Sequence, residues 1–172
     1  SINADSFQEL DRIAEILKNI KSNSVIGLRI NPQVGPGSIK TTSVADGISK
    51  FGIPLAQNRE KIIQCYLQYP WLQSIHVHIG SQGCPVPLLV AGIRRVLDLC
   101  IEVNERLQQQ SAPNRILNFD IGGGLPVSYH PGDKAIGMQQ FVSMLQSSCN
   151  ELFSGQYRII TEYGRYIHAN AG

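Results

Sequence analysis

Four short apolar runs recur along this chain: Val25 to Ile30 (VIGLRI), Ser74 to Gly80 (SIHVHIG), Ile116 to Ile121 (ILNFDI) and Tyr157 to Glu162 (YRIITE). Each is of strand length, and each runs into a polar or glycine-rich loop. Helical patterns lie between them, so successive runs start 41–49 residues apart, a spacing that fits βα units. Such spacing excludes hairpins. A strand that returns through a crossover helix lies parallel to its predecessor, with a right-handed connection. This recurrence makes the fold class α/β.

The helical segments are legible by their period. From Ser6 to Lys21, Phe7, Leu10, Ile13, Ala14, Ile16, Leu17 and Ile20 form one apolar stripe. Asp5 or Ser6 offers the N-cap, and Glu9 completes a capping box. Pro54 to Tyr69 carries Leu55, Ile62, Ile63 and Leu67 on one side. Pro87 to Gln110 reads as a long amphipathic helix that Ser111-Ala112-Pro113 stops. A further helix covers about Met138 to Phe153. Residues 31–50, rich in Gly, Pro, Ser and Thr, read as a long loop of functional type.

Composition then removes several function classes. In 172 residues, 42% are hydrophobic and 16% charged, which is globular rather than disordered. No apolar run approaches the ~18 residues of a membrane span. The first residues carry acids and no basic region, unlike a secretory signal. A net charge of +2, with Arg94-Arg95 as the only adjacent basic pair, argues against a nucleic-acid partner. Cys65, Cys84, Cys100 and Cys149 form no C-x-x-C pair. They read as four free thiols of a reducing, cytoplasmic compartment, with Cys84 the one whose Gly/Pro-rich loop suggests exposure.

The polar signals gather just after the strands, where barrels and doubly wound folds both bind ligands. Gly122-Gly123-Gly124 follows a strand and lets backbone N–H groups approach an anion. A tight turn needed for packing explains the same residues. His76 and His78 alternate along a strand and share one face. They fit a metal pair, a buried hydrogen-bonded pair, or a ring that stacks on a flat ligand. Ser81 supplies a hydroxyl in the following loop. Glu162 and Arg165 close the last strand, and Arg165 suits a phosphate or carboxylate. Arg29 interrupts an apolar run and calls for an internal partner, Asp120 or Glu162, or a place in the site itself.

The segments LRINP, SKFGIP, HVHIGSQ, FDIGGGLP and TEYGRYIHANAG occur here in one order across essentially the whole chain. Together they resemble the barrel domain of the fold-type III pyridoxal-phosphate-dependent decarboxylases of basic and diamino acids. That family includes diaminopimelate, ornithine and biosynthetic arginine decarboxylases and shares its barrel with alanine racemase. HIGSQ and the glycine run look most like the diaminopimelate decarboxylase pattern. The resemblance implies pyridoxal 5'-phosphate as cofactor and an amino acid as substrate. It implies that His78 stacks on the pyridine ring and that Glu162 contacts the ring nitrogen. Ser81, Gly122, Gly123, Gly124 and Arg165 would hold the phosphate, and Arg29 would lie near the stacking histidine. The whole protein would be a homodimer.

The resemblance also implies that much is supplied from elsewhere. The family's Schiff-base lysine sits on an early strand in a context like Y-A-V-K-A-N. None of Lys18, Lys21, Lys40, Lys50, Lys61 and Lys134 has that context. The family's C-terminal β-domain has no counterpart here. The chain therefore reads as the C-terminal half, about strands 4–8, of a (β/α)8 TIM-type barrel of about 250 residues. Open sheet edges in such a piece favour self-association, a supporting partner or marginal stability. The piece alone is expected to bind cofactor weakly and not to decarboxylate. Tyr163 stands where the family usually has proline, and residues 33–49 depart from the common diaminopimelate pattern. A racemase of the same barrel, a catalytically silent regulatory homologue and a metal-dependent barrel hydrolase remain as alternatives.

Overall fold

The computed structural model describes residues 1–35, 49–82, 84–130, 132–133, 135–169 and 171. Its strands are β1 (Ile2–Ala4), β2 (Ile26–Asn31), β3 (Ile53–Pro54), β4 (Leu72–Val77), β5 (Asn118–Asp120) and β6 (Arg158–Ile160). They form one sheet in the order β1-β2-β4-β5-β6, with β3 paired to β2 off that path. Every pairing is parallel. The helices are α1 (Phe7–Leu17), α2 (Leu55–Gln68), α3 (Val86–Gln109), α4 (Met138–Ser148) and α5 (Gly164–His168). This is the α/β class with crossover helices that the spacing predicts.

Parallel register puts paired residues on the same face of the sheet. Leu28, Ile75, Phe119 and Ile159 form one such row. They pack with Ile62, Ile63 and Tyr66 of α2 and with Ile93, Val96, Leu97 and Cys100 of α3 in a single core. Tyr66 is fully buried, and its hydroxyl donates to the Ser74 carbonyl at 2.8 Å, so its polar end is satisfied. The opposite face is polar. One row there runs Asn3, Gly27, Ser74, Asn118 and Arg158, and the next runs Arg29, His76, Asp120 and Ile160. Ser74, His76, Asn118 and Asp120 on this face are all buried.

The sheet curls over its polar face. Asn3 on β1 donates from Nδ2 to Asp120 Oδ2 on β5 at 3.3 Å. Three strand spacings would separate them by about 14 Å in a flat sheet. Curvature of this kind is what a parallel sheet needs to become part of a barrel.

The element bounds differ from the sequence reading in instructive ways. Ser6 is the N-cap of α1; its hydroxyl accepts from Glu9 N–H at 3.2 Å. The Glu9 carboxylate accepts in turn from Asp5 N–H at 2.6 Å. The helix stops at Leu17, short of Lys21, because Ile20 finds nothing to bury against and stays 58% exposed. Strand β4 spans 72–77 rather than 74–80, so His78 lies just beyond it. Helix α4 gives way at Cys149 to a 3-10 turn over Asn150–Phe153. β1, β3 and α5 carry too few residues to show a period. Most of the long loop, residues 36–48, lies outside the described residues. Among the described residues, no helix is long and apolar enough to cross a membrane.

Candidate functional site

Because all strands are parallel, the segments after β4, β5 and β6 emerge at one end of the sheet. His78 and Ser81 follow β4, Gly122 to Gly124 follow β5, and Glu162 and Arg165 follow β6. His78, Ser81, Gly124, Glu162, Tyr163 and Arg165 line one cavity of about 210 Å³. Residues up to 87 positions apart thus share a few ångströms of space.

Arg165 reaches across this cavity. Its Nη1 donates to the Tyr129 hydroxyl at 2.7 Å and its Nη2 to Ser81 Oγ at 3.4 Å. The guanidinium therefore carries a hydroxyl on either side of an exposed positive charge, a suitable seat for a multivalent oxyanion.

The glycine run ties three strand ends together. Glu162 N–H donates to the Gly122 carbonyl at 2.8 Å. Gly122 N–H donates to Asp120 Oδ1 at 2.9 Å. A Cβ on Gly123 would stand 2.5 Å from the Glu162 carbonyl oxygen and 3.3 Å from the His78 ring. Gly124 has φ +89°, and a Cβ there would meet the Ile79 carbonyl oxygen at 2.3 Å. Backbone packing alone thus demands glycine here, and the same geometry keeps the cavity wall free of side chains.

His78 Nδ1 faces two groups at once. It lies 3.1 Å from Glu162 Oε2 and 3.3 Å from Gly123 N–H. One ring nitrogen accepts from Gly123 or donates to Glu162, never both together. The imidazole tautomer therefore selects which loop His78 is bonded to.

His76 lies beneath this pair, 4% exposed, with both ring nitrogens lacking a hydrogen bond. Its Nε2 is 3.6 Å from Glu162 Oε2, beyond hydrogen-bond length. Burial pushes its pKa down to about 4; Glu162 opposes the shift and Arg29 adds to it. The ring is neutral at pH 7. Burial raises the Asp120 carboxyl, and the bond from Gly122 N–H works against that rise.

Arg29 departs from expectation. Its partner is neither Asp120 nor Glu162 but Asp5, at 3.3 Å, and its guanidinium lies 4.9 Å from the centre of the Phe51 ring. The three-residue β1 brings Asp5 alongside, and that strand leaves no pattern in the sequence. Arg29 does not line the cavity; it neighbours His76 in the strand register. His76 and His78 do not alternate along one strand, since β4 ends between them. Their rings meet edge-on at 6.3 Å. Cys84 is buried at 3% exposure, not exposed, and all four cysteines are free. Tyr129 and Tyr166 at the site carry no sequence signal, because a single tyrosine in a loop or in a five-residue helix shows no period.

The family profile "Pyridoxal-dependent decarboxylase, pyridoxal binding domain" matches residues 1–169. The chain belongs to the pyridoxal-dependent decarboxylase family. It is 32% identical to a diaminopimelate decarboxylase of Aquifex aeolicus over 99% of this chain and 39% of that protein. It is 28% identical to one of Methanocaldococcus jannaschii over 100% of this chain and 39% of the relative. The chain thus spans about two-fifths of the length of these relatives. Among solved structures, diaminopimelate decarboxylase from Helicobacter pylori complexed with L-lysine aligns with a TM-score of 0.73 and 26% identity. That alignment covers 96% of this chain and 40% of the other. The matched part is N-terminal in these decarboxylases. It shows a barrel fragment within the family's pyridoxal-binding domain and does not assign it to the barrel's C-terminal half.

Proposed function

We propose that this chain supplies the phosphate- and ring-binding part of a pyridoxal-phosphate-dependent amino-acid decarboxylase acting on a basic or diamino acid. The convergence of Ser81, Arg165, the glycine loop, His78 and Glu162 on one cavity carries this reading. The names of its relatives as diaminopimelate decarboxylases support the substrate class.

The residues present fit such a cofactor. Arg165 and the Ser81 hydroxyl offer charge and a donor for a phosphate, and Gly124 lines the same cavity without a side chain. When bound, pyridoxal phosphate supplies an electron sink for the carbanion left by CO2 loss. This chain's own residues would bind and orient it. Arg165, Ser81 and the glycine run would hold the phosphate; Gly122 N–H is given to Asp120 and Gly123 N–H to His78, which leaves the Gly124 N–H of the run for the anion. His78 offers its ring face to the pyridine. Glu162 holds a proton at the pyridine nitrogen, which requires it to leave His78 Nδ1; Gly123 N–H is then the remaining partner of that nitrogen. Arg29 acts from the neighbouring strand beside His76.

Within the barrel, the sheet fits strands 4–8. Its final strand leads into Glu162 and Arg165, and barrel phosphate sites are commonly built after strands seven and eight. The reactive lysine and a C-terminal β-domain would then come from outside these 172 residues. The whole enzyme would be a cytoplasmic homodimer. Among the described residues no lysine lies on a strand, and Lys40 and Lys134 fall outside them.

Calorimetric titration of the chain with pyridoxal phosphate tests the reading. Binding that weakens at least tenfold in Arg165→Ala is expected. Equal affinity in the two proteins sinks it.

A further inference from the structure

The same end of the sheet holds a second set of donors. His76 Nε2 or Nδ1, His78 Nδ1 and a Glu162 carboxylate oxygen all lie within 4.8 Å of one another. We propose that His76, His78 and Glu162 form a binding site for a divalent transition-metal ion of the zinc class, open when the cofactor is absent.

Three observations carry this. First, two of the three donor separations already match a coordination shell, and the third, between the two imidazoles, is within 4.8 Å. Tetrahedral ligands at about 2.1 Å from zinc stand about 3.4 Å apart. The two contacts to Glu162 Oε2 are 3.1 Å from His78 and 3.6 Å from His76. Second, His76 is 4% exposed with neither ring nitrogen hydrogen-bonded. A buried imidazole without a hydrogen bond is costly, and a metal would satisfy it. Third, the group is buried at its base and open at its mouth. The Glu162 side chain is 42% exposed and that of His78 28%, which leaves room for water as a fourth ligand.

The donor set selects the ion. Two imidazoles and one carboxylate suit zinc and its transition-metal neighbours, not calcium or magnesium. Arg29 opposes a cation here, but Asp5 pairs with its charge. Asp120 flanks His76 on the other side in the strand register and adds a carboxyl. The four cysteines are buried and outside the group; His130 and His168 are exposed and also outside it.

The site itself rests on geometry alone. Only its competition with a cofactor rests on the function proposed above, because His78 and Glu162 serve both ligands. Occupancy by metal would hold Glu162 and His78 together and close the ring pocket.

Titration of the 172-residue chain with Zn2+, followed by calorimetry, tests this. One-to-one saturable binding is expected, weakened at least tenfold in His76→Gln and in Glu162→Gln and unchanged in His130→Gln. Glu162 is exposed, so its variant keeps the test valid should His76→Gln fail to fold. Co2+ in place of Zn2+ should give visible absorption without a thiolate charge-transfer band. No saturable Zn2+ binding, or equal affinity in the Glu162→Gln protein, overturns the site. Pyridoxal phosphate is expected to weaken Zn2+ binding at least tenfold, and undiminished binding overturns the competition. Pyridoxal phosphate binding by a chain that takes no zinc overturns the metal site and leaves the decarboxylase reading standing.

Discussion

Asn3 and Asp120 touch across the concave face of the sheet, at 3.3 Å, although β2 and β4 lie between their strands. Asn3 passes over Gly27 to get there. A Cβ at Gly27 would stand 2.3 Å from Asn3 Oδ1 and 3.0 Å from Ser74 Cβ. Gly27→Ala should therefore destabilise the chain by about 1–3 kcal/mol, the usual range for overpacking. Adding Asn3→Ala should recover part of that loss, because Asn3 is the movable neighbour and Ser74 is not. Urea denaturation of the single and double variants measures both effects; full additivity would show that the two positions do not meet.

Stability should fall on mild acidification through His76. Its pKa in the fold is about 4, below the ordinary value of 6.5. The unfolded chain thus binds more protons between those values, and stability drops as pH falls from 6.5 towards 4. The full shift corresponds to about 3 kcal/mol at most. Denaturation midpoints at pH 7 and pH 5 should differ in the parent chain and differ less in His76→Gln. An equal pH dependence in both would assign the loss to other groups.

Thiol chemistry should be slow in the native chain. All four cysteines are buried, and burial pushes Cys100 up to about 12 and Cys149 up to about 11. The nucleophilic thiolate is then scarce at pH 8. Ellman's reagent should titrate four thiols promptly in denaturant and react far more slowly without it. Rapid native reaction at Cys84 would show that the loop after β4 opens.

Gly124→Ala should damage both fold and site. The positive φ and the Ile79 carbonyl oxygen at 2.3 Å leave no room for a methyl group. A loss of about 1–3 kcal/mol is expected, together with weaker pyridoxal phosphate binding. Ser81→Ala, which removes only a hydroxyl, should weaken binding with little change in the melting temperature. A Ser81→Ala protein that melts much lower would recast Ser81 as structural.

Much of this was legible along the chain. The capping box of Ser6 and Glu9, the stripe of α1 and the long helix α3 are local, and local periodicity announces them. So are the apolar cores of β2, β4 and β5. The glycine run and the Glu162-Arg165 pair stood out in the sequence because glycine and charge at strand ends are unusual choices. What escaped was short or relational. β1 has three residues, and without it Asp5 had no visible reason to meet Arg29. The Tyr129 hydroxyl on Arg165 joins residues 36 positions apart, and no spacing rule connects them.

The sequence by itself determined the parallel α/β class, the polar and glycine-rich strand ends and the family to which they point, because each is written in residues near one another. Only the tertiary structure decided which of those residues meet. Sheet curvature and parallel register set His76, His78 and Glu162 within 4.8 Å, gave Arg29 to Asp5 and buried Cys84. Distances across a curved sheet depend on every intervening strand at once, and no single stretch of chain encodes them.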